Sequence, residues 1–276
     1  MSTLTGHRND PVPATTRSSR GPGRAVPVLR TVRTVLTAPG VREVALLTVL
    51  WFTYAFSRVV ASDDLASARG RAADILHLEQ LLHLDVESWL NHTLTPLSQV
   101  AVPMSFWYAS LHYLVTPAVL VFLFVRHRAE YPRARNAIVI GSAIGLACYV
   151  MFPTAPPRLM PGGAYLDTLV STSDIGWWSG QTSLPNGLGQ MANELAAMPS
   201  LHVGWTVWVA WAVWRHTNVV GRAIAVLYAA GTTLVVVATG NHWVLDAVAG
   251  AMVVAVGIVV SGWIAGRRSN DVTATA

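Results

Sequence analysis

The chain has 276 residues, of which 53% are apolar and 12% charged, where soluble domains carry about 25% charged residues; together with a mean hydropathy of +0.44, this excludes an ordinary soluble domain. The apolar residues fall in long blocks, several approaching the ~20 residues that a bilayer span needs. The formal charge of +5 comes entirely from arginine, with no lysine, and these arginines lie between apolar blocks and in the N-terminal segment, not in the single patch or stripe of a nucleic-acid footprint.

Residues 1–40 are rich in Pro, Thr, Ser and Arg with little apolar periodicity, which predicts a disordered basic tail. A six-helix membrane domain is expected over 41–266, followed by a C-terminal tail at 267–276. Its first span, Val44–Val60, ends with Arg58 able to snorkel to the interface. Residues 65–95 follow with Ile75, Leu78, Leu82, Val86 and Trp89 at helical spacing and Asp74, Glu79, Asp85 and Glu87 between them, the pattern of an amphipathic helix lying in the membrane interface. Further spans are predicted at Met104–Val125, Ala137–Phe152, Pro199–Trp214, Ala223–Thr239 and His242–Ile264. The fold class is therefore all-α, with six transmembrane helices and one interfacial helix. Cys148 sits alone inside a span, which leaves no disulfide framework within the chain. The segment 153–198 is too polar and too rich in Gly and Pro to span, and it reads as a long outer loop with Trp177 and Trp178 at headgroup level.

Arginine bias orients the chain. With both termini cytoplasmic, the inner segments hold the tail arginines, then Arg126, Arg128, Arg133 and Arg135, then Arg215 and Arg222, then Arg267 and Arg268. The end of the third span, the start of the fourth and the junction of the fifth and sixth then share the outer face.

The polar residues that chemistry requires gather at that face: Ala155-Pro156-Pro157-Arg158, Met198-Pro199-Ser200-Leu201-His202 and Gly240-Asn241-His242 through Asp246. Ionisable groups within spans are costly and mark functional sites. His242 and Asp246 are four apart, which on a helix puts them on one face; the carboxylate would take a proton from one ring nitrogen and leave the other with its lone pair exposed. Pro199 suits a first helical turn, and the following amides with the Ser200 hydroxyl would form an anion pocket. His202 is placed to protonate a departing oxygen, and Arg158 offers a fork-shaped cation that matches phosphate. Two histidines and an aspartate would also suit zinc, but Asp246 reads as the orienting partner of His242 instead. His77, His83, His92 and His112 read as interfacial or packing residues.

At these residues the sequence resembles the type-2 phosphatidic acid phosphatase superfamily, and within it the inositol phosphorylceramide synthase-like branch. The resemblance covers roughly 44–264 and rests on the three motifs, extended to Gly250. It implies an all-helical bundle without metal or other cofactor, a phospholipid or other lipid-phosphate substrate, and a covalent phosphohistidine intermediate. His242 would be the nucleophile, Asp246 its orienter, His202 the acid and then base, and Ser200, Arg158 and Asn241 phosphate ligands. Two cations of the phosphatase branch are replaced, by Met151 and Val236, which favours a singly charged diester over a monoester carrying about −1.5 to −2. The expected function is transfer of a phosphoryl headgroup between lipids; the alternatives are hydrolysis of a lipid phosphate monoester, and lipid-phosphate binding or transport without chemistry.

Overall fold

The structure, a computed structural model, describes residues 64–178 and 194–274, with side chains to 267, together with positions 40, 41, 43–46, 48, 49 and 52. The chain divides into two units, Met1–Val49 and Leu50–Ala276. In the first, every described position is helical. Residues 1–39 of the expected tail and most of the expected first span lie outside the described residues.

In the second unit every described element is helical: α1 (Leu65–Leu82), α2 (Glu87–Leu94), α3 (Ser98–Arg126), α4 (Tyr131–Met151), a short α5 (Thr168–Ser171), α6 (Leu201–Trp214), α7 (Val219–Ala238) and α8 (Val244–Ala274). Four of these are long and apolar enough to cross a membrane: α3, α4, α7 and α8 over Val244–Arg267. The protein is an integral membrane protein. The expected fourth span is present as α6, but its 14 residues reach about 21 Å at 1.5 Å per residue, short of a ~30 Å hydrocarbon core. The last helix runs on to Ala274, so the expected tail at 267–276 begins as its continuation.

Two sequence expectations change here. Residues 65–95 fold as two helices, not one, because the chain turns at His83, whose φ of 56° is left-handed. His83 N–H donates to Gln80 O and Leu84 N–H to Glu79 O, the paired bonds of a Schellman stop. Of the apolar row, Leu78, Leu82, Val86 and Trp89 are exposed and Ile75 packs inward, while Ala68, Ala72, Glu79, Glu87 and Asn91 are fully buried. Small residues let α1 approach the bundle closely, and carboxylates and an amide do the holding. The second change concerns the tryptophans of the outer loop. Trp177 is exposed, but Trp178 is fully buried, edge-on to Phe106 and donating from Nε1 to Leu169 O at 3.0 Å.

The bundle is drawn together by small residues and by indole hydrogen bonds. A Cβ on Gly257 would lie 2.2 Å from Ala137 O, and one on Gly250 would lie 2.0 Å from Ser200 O, so α8 lies directly against α4 and against the start of α6. Trp208 Nε1 donates to Ala134 O at 2.8 Å, Trp205 Nε1 to Ser142 Oγ at 3.0 Å and Trp107 Nε1 to Thr232 Oγ1 at 2.9 Å. Interhelical bonds of this kind contribute about 0.6–2 kcal/mol each in a membrane. They fix which faces of α3, α4, α6 and α7 meet.

Candidate active site

The three sequence motifs converge, and backbone contacts explain how. The chain at Thr154 runs parallel to Ala196, with Thr154 N–H donating to Leu195 O and Ala197 N–H to Thr154 O. Arg71 Nε and Arg69 Nε of α1 donate to Pro153 O and Leu159 O, at 2.5 and 2.6 Å, which clamps both ends of the first motif. Arg158 N–H donates to Gly240 O at 2.9 Å. Gly240 has φ of 73°, and a Cβ there would meet Leu166 O and Asn91 Nδ2, so glycine suits both the turn and the close approach. Asn91 reinforces the junction: its Nδ2 donates to Ala238 O and Leu166 O, and its Oδ1 accepts from Leu166 N.

The second and third motifs meet through Ser200 N–H, which donates to Asp246 O at 2.9 Å. α6 begins at Leu201, with Ser200 as its cap: the hydroxyl accepts from Val203 N at 3.4 Å. Pro199 thus precedes the helix instead of opening its first turn, and its carbonyl accepts from Tyr149 Oη at 2.7 Å. The peptide bond between Met198 and Pro199 is cis.

His242 likewise lies before its helix, not on it, since α8 starts at Val244. The two side chains still meet, because Asp246 Oδ2 folds back to accept from Trp243 N at 2.9 Å, the returning half of a capping box. The orienting partner differs from expectation. His242 Nδ1 is 2.8 Å from Ala197 O and 3.6 Å from Asp246 Oδ2. A carbonyl only accepts, so Nδ1 carries the proton and Nε2 keeps its lone pair. The backbone of the second motif sets the tautomer, and Asp246, fully buried, stands at ion-pair distance where it would stabilise a cationic ring.

The His202 and His242 rings are 5.6 Å apart between centroids, at 60°. His202 Nε2 is buried without a hydrogen-bond partner among the described residues. Arg158 is nearly buried, with Nε 3.7 Å from Asp167 Oδ2. Asn241 is turned back, its Nδ2 donating to Thr239 Oγ1 at 2.9 Å. Among the described residues, no group of three or more His, Cys, Asp or Glu side chains is arranged to hold a metal ion.

A model of the PAP2 superfamily matches residues 73–260, more than half of the chain and all three motifs. The chain belongs to the PAP2 superfamily. No curated protein and no solved structure matches it. Membership makes a membrane lipid phosphatase or phosphotransferase the expected activity.

This PAP2 chain adds two residues beside the site: Tyr108, which sequence reasoning passed over, and His112, which it read as an interfacial or packing residue. Tyr108 stacks on His202 at 4.5 Å, and His112, one helical turn further along α3, meets the same ring edge-on at 4.3 Å. The i, i+4 spacing of Tyr108 and His112 was the available signal. The two replaced cation positions differ in their surroundings. Val236 is fully buried with Val203, Val237 and Ala247, and its carbonyl accepts from the Asn241 and His242 amides; Met151 is exposed at the end of α4.

Proposed function

We propose that the protein is a lipid phosphotransferase of the inositol phosphorylceramide synthase-like branch, moving a phosphoryl headgroup between lipids through a phosphohistidine at the outer membrane face. The observation that carries this reading is the pairing of two imidazoles 5.6 Å apart, one of them held with its Nε2 lone pair available by the Ala197 carbonyl. A phosphate seated between them lies within the ~2.6–3.2 Å hydrogen-bond reach of both rings.

In the proposed reaction His242 Nε2 attacks phosphorus and the bond to the leaving alkoxide breaks, its oxygen taking a proton from His202. The imidazolium so formed keeps its Nδ1 proton on Ala197 O, with the Asp246 carboxylate beside it. An acceptor hydroxyl then gives its proton to His202 and attacks phosphorus, and His242 leaves. Arg158 and Ser200 hold the phosphate oxygens, and Asn241 joins them on releasing Thr239. Six spans, an interfacial placement for α1 and α2, and cytoplasmic termini belong to the same reading. It is supported by the arginine bias and by the outward apolar row of Leu78, Leu82, Val86 and Trp89. A diester substrate is favoured because Met151 and Val236 supply no charge to the phosphate.

The test uses purified protein with labelled phosphatidylinositol as a diester and labelled phosphatidic acid as a monoester, each with and without a lipid alcohol. Transfer of headgroup to the alcohol is expected, with loss of turnover in His242→Ala and His202→Ala while both variants still insert. Full turnover in His242→Ala would overturn the reading. Free phosphate from phosphatidic acid alone would establish the monoesterase alternative. Lipid binding without any product, unchanged in His242→Gln, would establish a binding or transport protein.

A further inference from the structure

The first turn of α8 is held by carboxylates from two other helices. Glu79 of α1 accepts from Leu245 N at 2.7 Å, and Glu87, the first residue of α2, accepts from Val244 N at 2.9 Å. With Asp246 on Trp243 N, three successive amides at the helix start each have a carboxylate partner. Both glutamates are fully buried, and among the described residues neither makes an ion pair. Each uses Oε1 for its amide, and each Oε2 is buried without a hydrogen-bond partner among the described residues. The two carboxyls sit on the amides of consecutive residues, Val244 and Leu245, so they are neighbours in one buried site. Two ionised carboxylates buried side by side with no cation are strongly disfavoured, and a proton on one of them relieves the repulsion and gives it a donor that the other can accept.

We propose that Glu79 and Glu87 share one proton and act as positioning residues, clamping the start of α8 and thereby His242 and Asp246, and that loss of this proton loosens the clamp. The proposal rests on the site reading above. The electrostatics agree with it. A helix N-terminus offers about +0.5 of a charge, which suits one carboxylate but not the full charge of Glu79, Glu87 and Asp246 together. The ionisable groups that act on the pair are Asp246 of α8 and Tyr165 in the loop after α4, and neither is a cation. Burial, then the neighbouring Glu87 carboxyl, raises the Glu79 carboxyl from its ordinary 4.5 to about 9. Burial and the same carboxylates push the Tyr165 hydroxyl up. Since the folded chain holds a proton that the unfolded chain releases, fold stability is fullest below 4.5 and declines as pH rises towards about 9.

The test compares wild type with Glu79→Gln, whose amide can accept from Leu245 N–H and donate permanently to Glu87, and with Glu79→Leu, which can do neither. Infrared spectra of the protein in lipid nanodiscs should show a protonated carboxyl band at neutral pH that titrates near 9 and is missing from Glu79→Gln. The ratio of Glu79→Gln to wild-type turnover on labelled phosphatidylinositol should rise through the same range. Glu79→Leu should lose about tenfold or more in kcat at every pH, by misplacement of His242. A wild-type spectrum without the band, a band unchanged in Glu79→Gln, or a turnover ratio flat with pH would overturn the proposal. The band does not depend on catalysis. If His242→Ala proved fully active, the site reading would fail while the shared proton stood; if the band were missing, the reverse would hold.

Discussion

Replacing Gly250 by alanine puts a methyl carbon 2.0 Å from the Ser200 carbonyl oxygen, where real contacts essentially never fall below 3.0 Å and ordinary contact begins at 3.4 Å. The obstructing atom is backbone on both sides, so no rotamer change relieves it. The start of α6 must move off α8 by at least 1.0 Å, and by 1.4 Å to reach ordinary contact. Such a shift stretches the 2.9 Å bond from Ser200 N–H to Asp246 O beyond hydrogen-bond range. It also carries His202, two residues on, away from His242. Overpacking of this kind costs about 1–3 kcal/mol, and the lost buried bond adds about 1 kcal/mol. The larger effect falls on chemistry, since a displacement of ~1 Å in a positioned pair costs about 10²-fold in rate. The assay is headgroup transfer by the purified protein, with circular dichroism to show that the helices persist. Gly70→Ala on α1, which meets nothing within 4 Å, serves as the reference. If Gly250→Ala kept kcat within about threefold of wild type while remaining folded, the claim that the α6–α8 contact sets the distance between the rings would be refuted.

Two stability changes of opposite sign follow from the junctions around the site. His83→Gly should stabilise the protein by about 1 kcal/mol, because glycine enters the left-handed region without the Cβ clash that histidine bears; a fall in Tm would refute this. Asn91→Leu should destabilise by about 1–3 kcal/mol, since it strands the buried carbonyl of Ala238 and removes the partner of the part-buried Leu166 carbonyl and amide; denaturation of the variant in detergent measures it, and an unchanged midpoint would contradict the role given to Asn91.

The membrane class, the helical content and the motif residues could be read from the sequence, because bilayer physics leaves a long apolar block few choices and because ionisable groups within spans stand out against it. The approach of His202 to His242 was foreseen from motif spacing and arginine bias. The partner of His242 Nδ1 was not. It is a backbone carbonyl, and nothing in the identity of Ala197 marks it. The i, i+4 rule pointed to Asp246, but the rule holds inside a helix, and His242 lies two residues before the helix begins.

The amphipathic stretch shows the same division from the other side. Periodicity located helical chain over 65–95 and separated its apolar from its acidic residues. Which side is buried depends on what each side meets. Here the apolar row, Ile75 apart, is turned outward, while Glu79 and Glu87 turn inward onto amides that α8 leaves open at its first turn. Sequence by itself determined that this chain spans a membrane and which side chains are chemically unusual. Tertiary structure decided which backbone groups those side chains meet, because a main-chain donor or acceptor looks the same at every position until the fold exposes it.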